Sequence, residues 1–342
     1  PIGLVDTLHA VEKTNQYTTP LQEWQGRGVA SGFWFNIGGE TCASLTVNED
    51  GTVSLVAGTP DIGGLRASLA MVAADELGVE YDKVRPIIGD TGSRGFTFLT
   101  GGSRSCFSGA MAIVEAAKEI KEDVCKRAAK LWDLTPDQVE FDGGHVKAKG
   151  AGADKHKPMS IADFAKVAGK TGGPIGGYGR INAQGAGPSF GTHLVDVEVD
   201  PETGRVTILR YTVAQDAGKA IHPSYVEGQF QGGAAQGVGW ALNEEYIYGA
   251  DGKLQNAGFL DYRMPVASDL PMIDAILVEV PNPRHPYGVR GVGETPIIPP
   301  MAAIANAIEQ ATGIRFTELP MSPPKVLKAL KARGLRLAKN GA

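Results

Sequence analysis

The chain has 342 residues, 42% hydrophobic and 21% charged, with a formal net charge of −5. This is the composition of a globular protein large enough for two domains or one large core, not of a disordered chain. The acidic balance argues against nucleic acid or an anionic membrane as main partner, and no apolar run approaches the ~20 residues that span a bilayer. The N-terminus (PIGLVDTLHAVEK) lacks the basic-then-apolar pattern of a signal peptide, so a cytoplasmic location is expected. Because the chain begins at Pro1 rather than methionine, an earlier segment could have been removed or be carried elsewhere.

In chain order, TCASLTVNEDGTVSLVAGT (41–59) alternates apolar and polar residues on either side of NEDG and predicts a hairpin. LRASLAMVAADELG (65–78) and SRSCFSGAMAIVEAAKEIKEDVCKRAAKLW (103–132) carry the i, i+3, i+4 apolar spacing of half-buried helices. GGHVKAKGAGADKHKP (143–158) is expected to be an exposed loop, and GKTGGPIGGYGRINAQGAGP (169–188) a long connection between two halves. LVDVEVDPETGRVTILRYTVAQD (194–216) predicts a second hairpin across DPETG, followed by a helix in YVEGQFQGGAAQGVGWALNEE (225–245). RGVGETPIIPP (290–300) sets Glu294 between glycines and a proline, which suits a tight loop at the mouth of the helix PMAAIANAIEQATG (300–313). Hairpins mixed with helices indicate an α+β architecture, and the loosely similar order of two hairpin-plus-helix units suggests two related subdomains.

The three cysteines, Cys42, Cys106 and Cys125, show no CxxC pairing and cannot by themselves ligate an iron–sulfur cluster. Six scattered histidines offer no HxxxH or HExxH spacing for zinc. Glycine is in excess: its 46 residues are roughly twice the usual ~7% share. They cluster at PDIGG (60–64), TGGS (100–103), TGGPIGGYGR (171–180), QGGAAQGVG (231–239) and GVRGVGE (288–294), a pattern that fits a large ligand approached closely by main chain. GQFQGGAAQGVG lacks the leading strand of a dinucleotide fingerprint, and TGGSRS is not a GxSxG elbow. TGGSRS, with Ser103 and Ser105 on a glycine turn entering a helix, reads instead as a cradle for an anion.

The series GTPDIGG, ELGVEYDKVRPIIGDT, TGGSRSCFSGAMAIVEAA, VDVEVDPETGRVTILRYTVAQDAGKAIHP, VEGQFQGGAAQGVGWALNEE and PYGVRGVGETPIIPPMAAIANAI resembles the molybdenum-binding region of the xanthine dehydrogenase and aldehyde oxidoreductase family. The resemblance runs from about Gly26 to about Leu330 and covers the second half of that region. It implies an N-terminal connecting segment (1–25), a molybdopterin-binding subdomain (26–185), a second one with a catalytic Glu loop (186–325), and a C-terminal helix and tail (326–342). It also implies molybdenum carried by molybdopterin, as the cytosine dinucleotide, with the metal held by the pterin dithiolene rather than by protein ligands.

By the same resemblance, Ile62, Gly63 and Gly64 lie over the pterin. Gly102, Ser103 and Ser105 line the metal site and the cofactor's phosphate tail, Gln236 hydrogen-bonds beside the metal, and Glu294 is the general base. The first motif departs from the common MGQG: this chain reads IGGL, with Gly64 in the glutamine's place and Leu65 in that of the last glycine. The implied activity is hydroxylation of an N-heteroaromatic ring or oxidation of an aldehyde, with water as oxygen source. Carbon monoxide dehydrogenase or aryl-CoA reductase chemistry is the alternative within the family, and a noncatalytic scaffold the alternative outside it. The electrons must leave through iron–sulfur centres, so the expected partners are a [2Fe–2S] subunit, an FAD subunit and a chain carrying the first half of the region.

Overall fold

A computed structural model describes residues 2–90, 92, 95–184 and 187–334. The chain begins with α1 (Leu4–Glu12), α2 (Asn15–Thr18) and the strand β1 (Gln25–Trp34). Next come β2 (Gly39–Val47), β3 (Val53–Ala57), α3 (Leu65–Leu77), β4 (Val84–Ile88) and the 27-residue α4 (Ser105–Leu131). Short elements follow: β5 (Val139–Asp142), β6 (His145–Ala148), β7 (Met159–Ser160), α5 (Ile161–Lys166) and α6 (Ala168–Thr171). β8 (Ile175–Ala183), β9 (Ser189–Val199), β10 (Val206–Asp216), α7 (Pro223–Leu242), β11 (Ile273–Val278), α8 (Pro300–Thr312) and α9 (Pro323–Ala332) complete the order.

Two compact units result. One is assembled from Pro1–Trp34, Pro188–Pro281 and Val292–Ala342, the other from Phe35–Gly187 and Asn282–Gly291. The boundary expected at 185/186 falls on Gly185 and Ala186, outside the described residues, as do residues 335–342 of the expected C-terminal tail.

Both predicted hairpins form, β2 with β3 and β9 with β10, each antiparallel. At the first, Asp50 accepts from the Thr52 N–H (2.9 Å) and Oγ1 (2.6 Å), the local bonding that makes Asx residues turn formers. Each hairpin is one half of a four-stranded sheet. The orders are β8-β2-β3-β4 and β1-β9-β10-β11, and in both the third and fourth strands are parallel, joined by a crossover helix, α3 or α7. A second helix, α4 or α8, lies on each sheet against its glycine-bearing edge strand. The two units thus repeat one arrangement, the related α/β subdomains expected from the sequence.

The fit of helix on strand is set by glycine. A Cβ at Gly177 or Gly179 of β8 would lie 2.0 or 1.8 Å from the carbonyl oxygens of Ala116 and Ala112 in α4. A Cβ at Gly26 or Gly28 of β1 would meet Ala307 and Ala303 of α8 at 2.0 and 1.8 Å. Strand and helix backbones therefore touch, with alanines on the helix side and nothing on the strand side. Behind them Leu45, Leu55, Leu69, Ile113 and Ile120 are buried in one unit, and Val195, Val197, Phe230, Ile304 and Ile308 in the other.

Two loop expectations are corrected. GGHVKAKGAGADKHKP contains β6, which pairs with β5 and β7 in a three-stranded sheet around the fully buried Val146. The stretch 169–188 contains β8, nine residues paired with β2. In both, glycine and lysine hid the strand; in β8 the glycines are the packing surface itself.

Replacing Gly179 with valine forces side-chain atoms into the backbone of α4. The expected loss is about 3 kcal/mol or more, at the upper end of overpacking effects, seen as a collapse of soluble yield or a lowered unfolding midpoint. Gly169→Ala in α6, where an added Cβ meets nothing within 4 Å, should stay within about 1 kcal/mol of the parent.

Candidate active site

α3 is entered through GTPDIGG. Gly63 (φ 66°) and Gly64 (φ 74°) are both left-handed, a region that residues with a Cβ enter at a cost. A glutamine in place of Gly64 would be strained in this backbone, a physical reason for IGGL instead of MGQG. Asp61 accepts from the Arg66 N–H (3.0 Å) and Nε (3.0 Å), and the backbone bond is foremost in holding its carboxyl below the usual range. Ile62 at the apex is 61% exposed.

α4 is entered through TGGSRS in the same manner. Gly102 (φ 66°) and Ser103 (φ 55°) are consecutive left-handed residues, and Ser105 is the first residue of the helix. The N-cap residue of α4 is Arg104, whose side chain makes no capping hydrogen bond. Successive N–H groups in such a turn form an anion-binding concavity. Below it, Arg104 is wholly buried. Its Nε donates to the Gly38 carbonyl (2.5 Å), Nη1 to Phe98 (2.9 Å) and Leu99 (3.2 Å), and Nη2 to Glu40 (2.9 Å) and Thr41 Oγ1 (2.5 Å). One guanidinium thereby ties the start of β2 and the 98–99 loop to the serine turn.

The same unit holds the segment that leads toward Glu294. Asn36 Nδ2 donates to the Ser103 carbonyl (2.8 Å), while Asn36 Oδ1 accepts from the Gly291 N–H (2.9 Å). Gly291 is required there, since a Cβ would sit 1.8 Å from the Ser103 oxygen. Upstream, buried His285 bonds the Phe107 carbonyl through Nε2 (3.0 Å) and accepts from the Tyr287 N–H at Nδ1 (3.0 Å). This pair of bonds requires the neutral Nε2–H tautomer. The Tyr287 hydroxyl, its pKa raised by burial, faces Asp75 (2.6 Å) and Glu76 (3.0 Å) of α3.

In the other unit, a 3₁₀ turn, Thr295–Ile297, follows the half-buried Glu294, and its Pro296, with Pro300 at the start of α8, rests on α7. A Cβ at Gly233 would lie 2.4 Å from Pro296, and one at Gly237 2.4 Å from Pro300. Gln236 is exposed on that same helix. The structure therefore brings Gly102, Ser103 and Ser105 into one turn and Ile62, Gly63 and Gly64 into another, both in one unit. Gln236 and Glu294 belong to a helix and the loop packed on it, in the other. Sequence reasoning missed Asn36, Arg104, His285 and Tyr287. Arg104, a lone charge between small residues at the entry of an apolar helix, carried the only visible signal.

The profile of the molybdopterin cofactor-binding domain family matches residues 5–271. The chain belongs to that family. It is 34% identical over 299 residues to the xanthine dehydrogenase molybdenum-binding subunit of Escherichia coli O157:H7, covering 86% of this chain and 40% of that one. It is 31% identical over 301 residues to the nicotine 6-hydroxylase large subunit of Paenarthrobacter nicotinovorans, covering 84% and 36%. The structure of quinoline 2-oxidoreductase from Pseudomonas putida 86 superposes with a TM-score of 0.82 at 26% identity, over 90% of this chain and 42% of that one. The chain thus spans about two fifths of the length of the curated relatives it matches.

The residues fit the cofactor of this family. A helix start behind two left-handed residues suits an anionic tail. Among the described residues no three of His, Cys, Asp and Glu converge as a metal site.

Burial pulls the His285 pKa down to about 4 from an ordinary 6.5. A folded value below the unfolded one means that this group favours folding fully above about pH 6.5, and that the contribution is lost as pH falls toward 4. The loss is capped near about 3 kcal/mol. His285→Gln, whose amide can still donate to Phe107, should flatten the decline. Thermal unfolding at pH 7.5 and 5.0 checks it: the variant should lose less on acidification than the parent.

Proposed function

We propose that this chain supplies the second half of the molybdopterin-binding region of a molybdenum hydroxylase acting on an N-heteroaromatic ring or an aldehyde. Family membership and the placement of Glu294 support the reading. Glu294 is the single carboxylate in a loop held to α7 by prolines on glycines, and Thr295 Oγ1 donates to the Ser189 carbonyl (3.4 Å) beside it. When bound, molybdopterin would supply a redox metal that accepts two electrons and delivers a water-derived oxygen to an electron-poor carbon.

This chain's residues then do three things. The Gly102–Ser105 turn holds the anionic tail, in the cytosine dinucleotide form, by main-chain N–H groups and hydroxyls. The Ile62–Gly64 turn lays its backbone and an apolar side chain against the pterin, and Gln236 offers a side-chain amide. Glu294 takes up the proton released as the carbon–oxygen bond forms, at its carboxylate. The protein's part is binding, orientation and one proton transfer.

Glu294→Gln keeps size and loop shape and removes the base. In molybdenum-loaded protein, reduction by quinoline or benzaldehyde should slow by at least about a hundredfold. Substrate affinity should change far less, because the loss is confined to the chemical step. Rapid-mixing spectroscopy reads it, and a rate within about threefold of the parent would rule out Glu294 as base.

The partners we propose are a polypeptide with the first half of the region, an iron–sulfur subunit with two [2Fe–2S] clusters and an FAD subunit, because this chain's three cysteines cannot carry the electrons onward. Native mass measurement of the endogenous protein should find these companions; an active monomer would refute them.

A further inference from the structure

Gln215 lies wholly buried near the end of β10. Its Nε2 donates to the Val292 carbonyl (3.1 Å) and to Ser189 Oγ (3.3 Å). Ser189 Oγ donates onward to the Asp216 carbonyl (2.7 Å), and the Ser189 carbonyl accepts from Thr295 Oγ1 (3.4 Å). Val292 and Thr295 bracket Glu294, two residues before it and one after. Both sides of the carboxylate-bearing residue are therefore tethered to adjacent strands of one sheet, the leading side by Gln215 and the trailing side by Ser189.

The other end of the amide shows what the tether is for. Gln215 Oε1 is buried with no hydrogen-bond partner among the described residues. The amide cannot turn to relieve this, because Oε1 would then face the Val292 carbonyl and set acceptor against acceptor. The side chain stands opposite Gly191, where an added Cβ would be in ordinary van der Waals contact with Oε1 (3.5 Å) and Thr295 Cγ2 (3.4 Å). An unmade buried acceptor is destabilising, and an apolar side chain of equal length would avoid it. The orientation of the amide is set by the donor it aims at the Val292 carbonyl.

We infer that Gln215 is a positioning residue: through the Val292 carbonyl it fixes the course of the Glu294 loop and so the aim of the carboxylate. The inference rests on the reading of Glu294 as the base. The Gln215 tether on the leading side is a neutral hydrogen bond, and a misplacement of about 1 Å costs on the order of 10²-fold in rate. Small motion of Val292 is thus enough to show.

The test uses Gln215→Met in the assembled, molybdenum-loaded complex, a change that keeps side-chain length and removes the amide. Three quantities are compared with the parent: thermal unfolding, amide hydrogen exchange of residues 293–298 in the oxidised complex without substrate, and the rate and apparent dissociation constant for reduction by quinoline or benzaldehyde. The expected result is a melting temperature within about 3 °C, faster exchange across 293–298, a rate lower by about ten- to a hundredfold, and a dissociation constant within about threefold. Should Gln215→Met accumulate poorly, Gln215→Asn withdraws the donor by one methylene and is expected to behave alike. Parental exchange, or a loosened loop that still reacts at the parental rate, overturns the inference. Glu294→Gln assayed in parallel separates the two readings. If it is slow while Gln215→Met is normal, only the positioning role fails; if it reacts normally, the base reading fails and the positioning role with it.

Discussion

Contact between a helix backbone and a strand backbone is the constraint on which the rest of this structure depends. Gly177 and Gly179 let α4 settle on β8, and Gly26 and Gly28 let α8 settle on β1, with alanine carbonyls where strand side chains would otherwise stand. Helices that close to a sheet have almost no freedom to slide, since any shift drives alanine side chains into the strand. Ser105 begins α4 and Pro300 begins α8. The turn carrying Gly102 and Ser103 and the loop carrying Glu294 are therefore the lead-ins to the two most tightly seated helices.

The repeated arrangement sharpens this. In each unit a hairpin is followed by a crossover helix, a parallel fourth strand and a second helix. The residues given roles fall at comparable places: Gly63 and Gly64 open one crossover helix while Gln236 rides on the other, and the serine turn and the Glu loop each precede a second helix. One scaffold solution is used twice, with the turn proposed to bind the anionic tail at its mouth in one unit and the proposed base at its mouth in the other. The glycine edge strand comes last in one unit and first in the other, which is why the repeat is faint in the linear chain.

Buried polar groups hold these mouths still. Arg104 has five donor contacts to acceptors from Gly38 to Leu99, and Asn36 serves Ser103 with its amide donor and Gly291 with its acceptor. His285 is kept neutral between Phe107 and Tyr287. Loops cannot be fixed by hydrophobic burial alone because their own carbonyls and N–H groups need partners. Side chains with several donors in fixed geometry meet that need, and so the pins are Arg, Asn and His rather than Leu or Phe.

Much of this was legible in the chain. Period-two alternation around NEDG and DPETG determined both hairpins, the apolar spacing determined α3, α4, α7 and α8, and the order of six glycine-bearing motifs determined the family. These signals are local, written within a few turns or a few residues. β8 and β6 were not legible, because a strand whose inward face is glycine, or whose outward face is lysine, loses the apolar alternation by which strands are recognised. Nor were Asn36, Arg104, His285 and Gln215, each of which acts on a carbonyl or N–H far away in sequence, from Gly38 for Arg104 to Val292 for Gln215. A side chain's type names the bonds it can make; which backbone group stands within 3 Å of it is decided only when the helices have settled on their glycine strands.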